Sequence, residues 1–156
     1  MTNETKDNAG VKVPPPLIYL SAMIAGLILN YFFPMAFLPV SVSRIAGILL
    51  VAFAVFIFVS AFQKFKRAET NLEPWKPTTA IVSDGVFRFS RNPIYLAFTL
   101  FYLGATFLFN SLWLLALLMP VLFVMSYSVI GREERYLENK FGTEYSDYKR
   151  RVRRWI

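Results

Sequence analysis

Four apolar runs, at residues 17–33, 42–62, 93–109 and 112–130, constrain this chain more than anything else in it. A hydrocarbon core roughly 30 Å thick needs about 20 helical residues to cross it. In that solvent every backbone N–H and C=O has to find its partner inside the segment, so the runs read as helices. The expected fold class is all-α: an integral membrane protein with about four transmembrane helices. Hydrophobic residues make up 56% of the 156, too many for a soluble domain of this size. The length supports one domain.

Along the chain, residues 1–13 are polar and expected to be a mobile arm. The Asn3-Glu4-Thr5 triplet matches a glycosylation acceptor, but the topology below keeps it out of the lumen. Pro14-Pro15-Pro16 leads into the bilayer, and residues 14–64 carry the first two spans. In the first, Ser21 and Ala25, and Ala22 and Gly26, are spaced four apart and offer a small-residue face for close helix packing. Pro34 ends that span; Lys64, Lys66 and Arg67 mark where the second leaves the bilayer. A loop at 65–92 follows, then a helical hairpin at 93–130 with only Asn110 and Ser111 at its turn, and Pro120 is expected to kink its second arm. Residues 131–156 are expected to form C-terminal helices on the membrane surface.

Charge sets the orientation. Sixteen of the seventeen Lys and Arg residues, all but Arg44, fall on one side of a four-span layout. The positive-inside rule places that side, with both termini, in the cytoplasm, and the expected location is a bacterial inner membrane. All ten Asp and Glu residues share it, so chemistry is expected at the cytoplasmic membrane surface. The net charge of +7 then belongs to anionic headgroups and not to nucleic acid. Without cysteine there are no disulfides, thiolate nucleophiles or thiolate metal ligands, and without histidine the usual neutral-pH proton shuttle is missing. No metal site is expected. The spans hold no ionisable group at mid-depth, which argues against a transporter or channel.

Residues 83–96 combine a turn, two arginines and the start of a span. Asp84-Gly85 signals the turn. Pro93 suits the first position of a helix, where its missing N–H costs nothing, and Asn92 is expected to cap it. A helix N-terminus flanked by Arg88 and Arg91 makes a place for an anion, half of a cofactor site at the mouth of a span. The proline-rich loop at 68–83 is not helical. Its Trp75 reads as an interfacial anchor or as part of a substrate entrance, and Ala80-Ile81-Val82 as a short extended segment able to hydrogen-bond an aromatic base. Beyond the last span, Leu137 and Phe141 form an apolar stripe and Gly142 stops the helix. Thr143 is expected to cap another, with Tyr145, Tyr148 and Val152 on one side and Lys149, Arg150 and Arg151 beside it, lying on the membrane. The adjacent Glu133 and Glu134 need something cationic to hold them; Arg132 and Arg135 are the near candidates.

Two of these blocks, SDGVFRFSRNPIYL (83–96) and REERYLENKFGTEYSDYKRRV (132–152), together resemble the isoprenylcysteine carboxyl methyltransferase and phospholipid N-methyltransferase superfamily. The small bacterial branch is most similar, sharing PPPLIYL (14–20) and a loop like NLEPWKPTTAIV (71–82), so the resemblance covers about 14–152. It implies an integral-membrane enzyme that uses S-adenosylmethionine without a Rossmann fold. By position, Val82 and Gly85 of segment 82–85, together with Arg91, Asn92, Pro93, Tyr95 and Leu96, would line the cofactor pocket, and Glu133 and Glu134 would complete it. Glu134, Arg91 and Tyr95, clustered at one depth, are expected to serve the reaction, with Glu134, Glu133 or Tyr95 taking the proton of an amine acceptor directly or through water. The cofactor carries a sulfonium, an ammonium and a carboxylate, so carboxylates near the first two and arginine near the third make chemical sense. The implied partners are membrane lipids and an amphiphilic methyl acceptor, a lipid amine or a prenylcysteine-like carboxylate. Two departures bear on the acceptor. Asn92 stands where the family commonly has histidine, and Val129 where eukaryotic prenylcysteine enzymes place an arginine. A non-catalytic membrane scaffold, and methylation of a small hydrophobic molecule, are the rival readings.

Overall fold

The computed structural model describes residues 7–71 and 73–156; expectations resting on residues 1–6, the Asn3-Glu4-Thr5 triplet included, and on Leu72 lie outside them. Six α-helices follow one another: α1 (Pro15–Phe32), α2 (Val40–Arg67), α3 (Pro93–Leu108), α4 (Leu112–Val124), α5 (Gly131–Phe141) and α6 (Thr143–Arg151). A 3-10 turn at Gly85–Arg88 precedes α3, and a π-helical stretch at Met125–Ile130 joins α4 to α5. There is no strand among the described residues. The fold is all-α, as expected. Three stretches, Pro15–Phe32, Val40–Arg67 and Leu112–Phe141, are long and apolar enough to cross a membrane, and Pro93–Leu108 is a shorter apolar helix beside them.

The helices meet through small residues. A Cβ added at Gly26 would lie 2.6 Å from Leu114 Cδ2, so the Ala22/Gly26 face of α1 serves its expected purpose against α4. α2 packs most closely on α3. There a Cβ on Gly104 would stand 2.7 Å from Val51 Cγ2 and 3.1 Å from the Gly47 carbonyl oxygen, so the two backbones nearly touch.

At one end of the bundle Asn110 holds both connections together. Its φ of +46° makes the hairpin turn, which asparagine tolerates better than most residues. Its Oδ1 accepts from the backbone N–H groups of Phe37 and Leu38, both at 3.2 Å, and its Nδ2 donates to the Leu38 carbonyl at 2.7 Å. The other end is polar. α4 continues through the π-helical stretch into α5. The backbone leaves α geometry there, five residues past Pro120, with Met125, Val129 and Ile130 in the core against Tyr95, Tyr102 and Leu118. Gly142, at φ +56°, ends α5 and occupies the cap position of α6 that the sequence reading gave to Thr143. The chain then doubles back. Tyr145, Tyr148 and Val152 bury against Ile81, Leu137 and Phe141, so the apolar face of α6 is spent on protein and not on lipid, while Lys149, Arg150 and Arg151 stay exposed.

The described part of the N-terminal arm, expected to be mobile, is fastened to this polar end. Asp7 pairs with Lys140 at 2.7 Å, Ala9 N–H donates to the Pro74 carbonyl at 3.2 Å, and Arg132 Nη1 donates to the Gly10 carbonyl at 3.0 Å.

Replacing Gly104 by valine should force α2 and α3 apart and cost about 1–3 kcal/mol, the usual penalty of overpacking. The exposed Met119→Val should cost far less. Thermal unfolding of both variants in the same detergent checks the difference.

Candidate functional site

Four segments surround a hollow at the polar end: the first turn of α3, the loop through residues 71–82, the start of α5 and the inner face of α6. About 890 Å³ of space lies between its atoms, counting the part open to solvent. The loop is shaped by its own side chains. Asn71 Nδ2 donates to the Pro77 carbonyl at 2.8 Å, and Thr79 N–H donates to Thr70 Oγ1 at 3.0 Å. That closure delivers Ala80, Ile81 and Val82 to the hollow, where their backbone groups make no hydrogen bond among the described residues. Trp75 is 44% exposed and does not line it.

Of the residues expected to line a cofactor pocket, Val82, Arg91, Asn92, Pro93, Tyr95, Glu133 and Glu134 come together here. Gly85 and Leu96 are not among the lining residues. Leu96 follows Tyr95 on a helix, so it points about 100° away around the axis. Gly85 makes the turn before α3: its φ is +60°, and a Cβ there would meet Lys64 Cε at 2.8 Å. Lys64 in turn pairs with Asp84 and holds that carboxyl below its usual value. Arg88 is exposed, so one arginine and not two reaches the hollow. Asn92 sits at the cap position of α3 without a side-chain capping bond; its Nδ2 donates instead to the Arg154 carbonyl at 3.0 Å.

The two glutamates have different fates. Glu134 is buried and forms an ion pair with Arg91, Nη2 lying 2.9 Å from Oε1, the two side chains being 6% and 7% exposed. It also accepts from Arg154, whose Nε lies 3.1 Å from Oε1 and whose Nη2 lies 2.5 Å from Oε2. Two guanidiniums therefore neutralise it. Arg132 and Arg135 do not, because Arg132 holds the arm and Arg135 is exposed. Glu133 accepts from the Tyr95 hydroxyl at 2.5 Å and forms no ion pair among the described residues. Burial pushes its carboxyl up to about 7; the Tyr95 hydrogen bond works against that shift, and the negative Glu134 beside it adds to it. Arg91 keeps two buried donors, Nε and Nη1, with no partner among the described residues. The Tyr145 hydroxyl approaches this guanidinium without completing a hydrogen bond, and burial raises it to about 12, so it stays protonated.

Arg154, Tyr145, Tyr136 and Ala9 belong to this end of the molecule and are not among the expected site residues. Arg154 carries no motif that separates it from Arg150, Arg151 and Arg153, and only the folded chain brings it to Glu134. Tyr145 and Tyr136 had a legible signal, an aromatic stripe on helices flanking the acidic pair. Tyr136 accepts from Thr78 N–H at 3.2 Å and donates to Asp7 Oδ1 at 2.8 Å, joining loop, α5 and arm.

An all-helical membrane protein with a polar, carboxylate- and arginine-lined hollow at one end of its spans is the class this geometry defines. A family model for phospholipid methyltransferases matches residues 42–144, well over half of the chain, and the chain belongs to that family of membrane methyltransferases. It is also 45% identical, over 64 residues, to an uncharacterized protein of Haemophilus influenzae (strain Rd); that stretch is 40% of this chain and all of the relative. No solved structure matches.

The raised Glu133 carboxyl sets a pH dependence. The unfolded chain releases this proton near the ordinary glutamate value of about 4.3, the folded protein near 7. Between those values the folded state holds more protons, so stability falls as pH rises through the window. With no histidine in the chain, little else titrates there. Thermal unfolding followed from pH 5 to 8 should show the decline in the wild type and a flatter profile in Glu133→Gln.

Proposed function

We propose that the protein is an S-adenosylmethionine-dependent methyltransferase acting on an amphiphile in the bilayer. The single observation that carries this reading is the pairing, in one hollow, of a buried arginine with two free donors and a glutamate with no cationic partner. A purely structural ion pair has no use for donors left unsatisfied out of water, where each costs about 1–3 kcal/mol. A ligand carrying both a carboxylate and positive charge satisfies both ends.

When bound, the cofactor supplies an electrophilic methyl group on a sulfonium. One of the two open donors of Arg91, Nε or Nη1, takes its carboxylate, and Glu133 stands as the counter-charge to its cationic groups. The free backbone of Ala80, Ile81 and Val82 meets the edge of its base. Tyr95 holds Glu133 in place through its hydroxyl. Glu134, occupied by two arginines, orients Arg91. Among the described residues Glu133 is also the group of the hollow whose proton is exchanged near neutral pH, which gives an amine acceptor somewhere to leave its proton. Catalysis rests otherwise on positioning and on the exclusion of water.

The acceptor reaches the site from the bilayer. A groove lined almost wholly by apolar side chains, among them Pro16, Tyr19, Met23, Val55, Phe58 and Phe98, lies between α1, α2 and α3. Tyr19, in its wall, hydrogen-bonds Thr99 at 2.8 Å and the Tyr95 carbonyl at 3.4 Å, and Tyr95 reaches Glu133. A hydrocarbon chain in the groove therefore presents its head group to the hollow. Val129 is 2% exposed in the core, and Arg132 is engaged with the Gly10 carbonyl. With Arg91 given to the cofactor, no further arginine lines the hollow among the described residues to meet an acceptor carboxylate, which favours an amine-bearing lipid. The charge distribution supports a cytoplasmic face for the hollow, and in a bacterium the inner membrane.

Calorimetry in detergent should show S-adenosylmethionine binding to the wild type. Glu133→Gln and Arg91→Lys should each weaken it by about ten-fold or more, as expected when one partner of a desolvated charge pair is removed. Wild-type affinity in both variants would overturn the reading.

A further inference from the structure

The last five residues do more than finish the chain. After α6 the backbone turns extended at Val152, and the residues beyond it touch the start of α3, the π-helical stretch and α5. Arg91 N–H donates to the Arg153 carbonyl at 3.0 Å, and Asn92 Nδ2 to the Arg154 carbonyl at 3.0 Å, so the tail is fastened to the start of α3. Trp155 Nε1 donates to Ser126 Oγ at 3.3 Å, and its ring lies against the core, which fastens the tail to the π-helical stretch. Between those attachments the Arg154 side chain reaches Glu134 on α5.

The contact with Glu134 is two-pronged. Arg154 uses Nε on Oε1 and Nη2 on Oε2, fixing the plane of the carboxylate. Oε1 then meets Arg91 through Nη2 alone. A free carboxylate beside an arginine prefers to take two of its N–H groups at once. Were Glu134 free to turn, it would claim a second donor of Arg91 and close the place where an anion would sit. Held by Arg154, it leaves Nε and Nη1 of Arg91 without partners.

We infer that Arg154 is a positioning residue of the methyl-transfer site: by clamping Glu134 it keeps the remaining donors of Arg91 open for the carboxylate of the cofactor. The inference rests on the function proposed above and adds to it a segment, the extended tail, that the reading of the hollow did not need. A second consequence concerns charge. Among the described residues, the hollow that Glu133 lines also holds Glu134 and Tyr136 from its own helix, Arg91 and Tyr95 from the start of α3, Tyr145 and Tyr148 from α6 and Glu73 from the loop, while Arg154 acts from the tail through Glu134. Removing Arg154 leaves Glu134 less neutralised, which makes Glu133 harder to ionise.

The chain has no cysteine, so Ile156→Cys gives a unique attachment point for a nitroxide spin label at an exposed position. In that background the wild type, Arg154→Gln and Arg154→Lys are compared by label mobility without cofactor and by calorimetric titration with S-adenosylmethionine from pH 6 to 9. The expected result for Arg154→Gln is a mobile label, affinity lower by about ten-fold, and a pH at which binding strengthens that moves upward. Arg154→Lys, which keeps the charge but not the two-pronged contact, should restore the pH profile and only part of the affinity. Wild-type affinity and pH profile in Arg154→Gln overturn the inference, whether or not the label is released. If the wild type binds no S-adenosylmethionine, the proposed function fails. The label then decides the clamp by itself: release in Arg154→Gln supports it, and an immobile label overturns it.

Discussion

A guanidinium and a carboxylate almost out of reach of water join the start of α3 to the start of α5 through the contact of Arg91 with Glu134. Each charge loses several kcal/mol of hydration on burial, and their attraction returns that loss only when the geometry is good and the remaining hydrogen bonds are made. Here they are not all made, since two donors of Arg91 remain unpaired. Apolar side chains of similar size would hold the helices together at least as well. Removing Glu134, however, would strand Arg91, at about 3–5 kcal/mol. An ion pair of this kind stabilises poorly and orients well, which is what a binding site asks of it.

The membrane-embedded part of the fold serves that orientation. Hydrocarbon removes the choice of backbone structure, leaving helices whose contacts are decided by where glycine lets two of them approach. Asn110 locks both turns at one end, so the freedom to build a site lies at the other. There the chain departs from regular helix: the π-helical stretch before Glu133, the self-bonded loop before Val82 and the extended tail after Arg151 each carry a residue to the hollow. Such departures are common at functional sites. Tyr19, in the apolar groove, bonds the Tyr95 carbonyl, and the Tyr95 hydroxyl bonds Glu133 in the polar hollow.

The apolar runs made the spans legible, because a helix in lipid is dictated by composition. Most of the hollow was legible too: Arg91, Tyr95 and the acidic pair stood out as polar groups at the mouths of spans. Three things were not. The acidic pair reads in sequence as two equivalent glutamates, whereas folding gives Glu134 two arginines and Glu133 a tyrosine; nothing local distinguishes them. Arg154 is one arginine in a basic run, and its role arises from a long-range turn of the tail. The apolar stripe of α6 carries the same pattern whether lipid or protein covers it, and only the packing of Ile81 and Phe141 against it decides which. Gly85 and Leu96 were drawn into the expected site by adjacency to residues that do line it, and the helical period of 3.6 residues separates Leu96 from Tyr95.

Ultraviolet cross-linking of methyl-labelled S-adenosylmethionine to the purified protein, followed by mapping of the labelled peptides, tests the central claim most directly. Label displaced by unlabelled cofactor and confined to segments 71–95 and 131–148 is the predicted result. Absence of displaceable label, or label confined to the Asn110 end of the bundle, would contradict it.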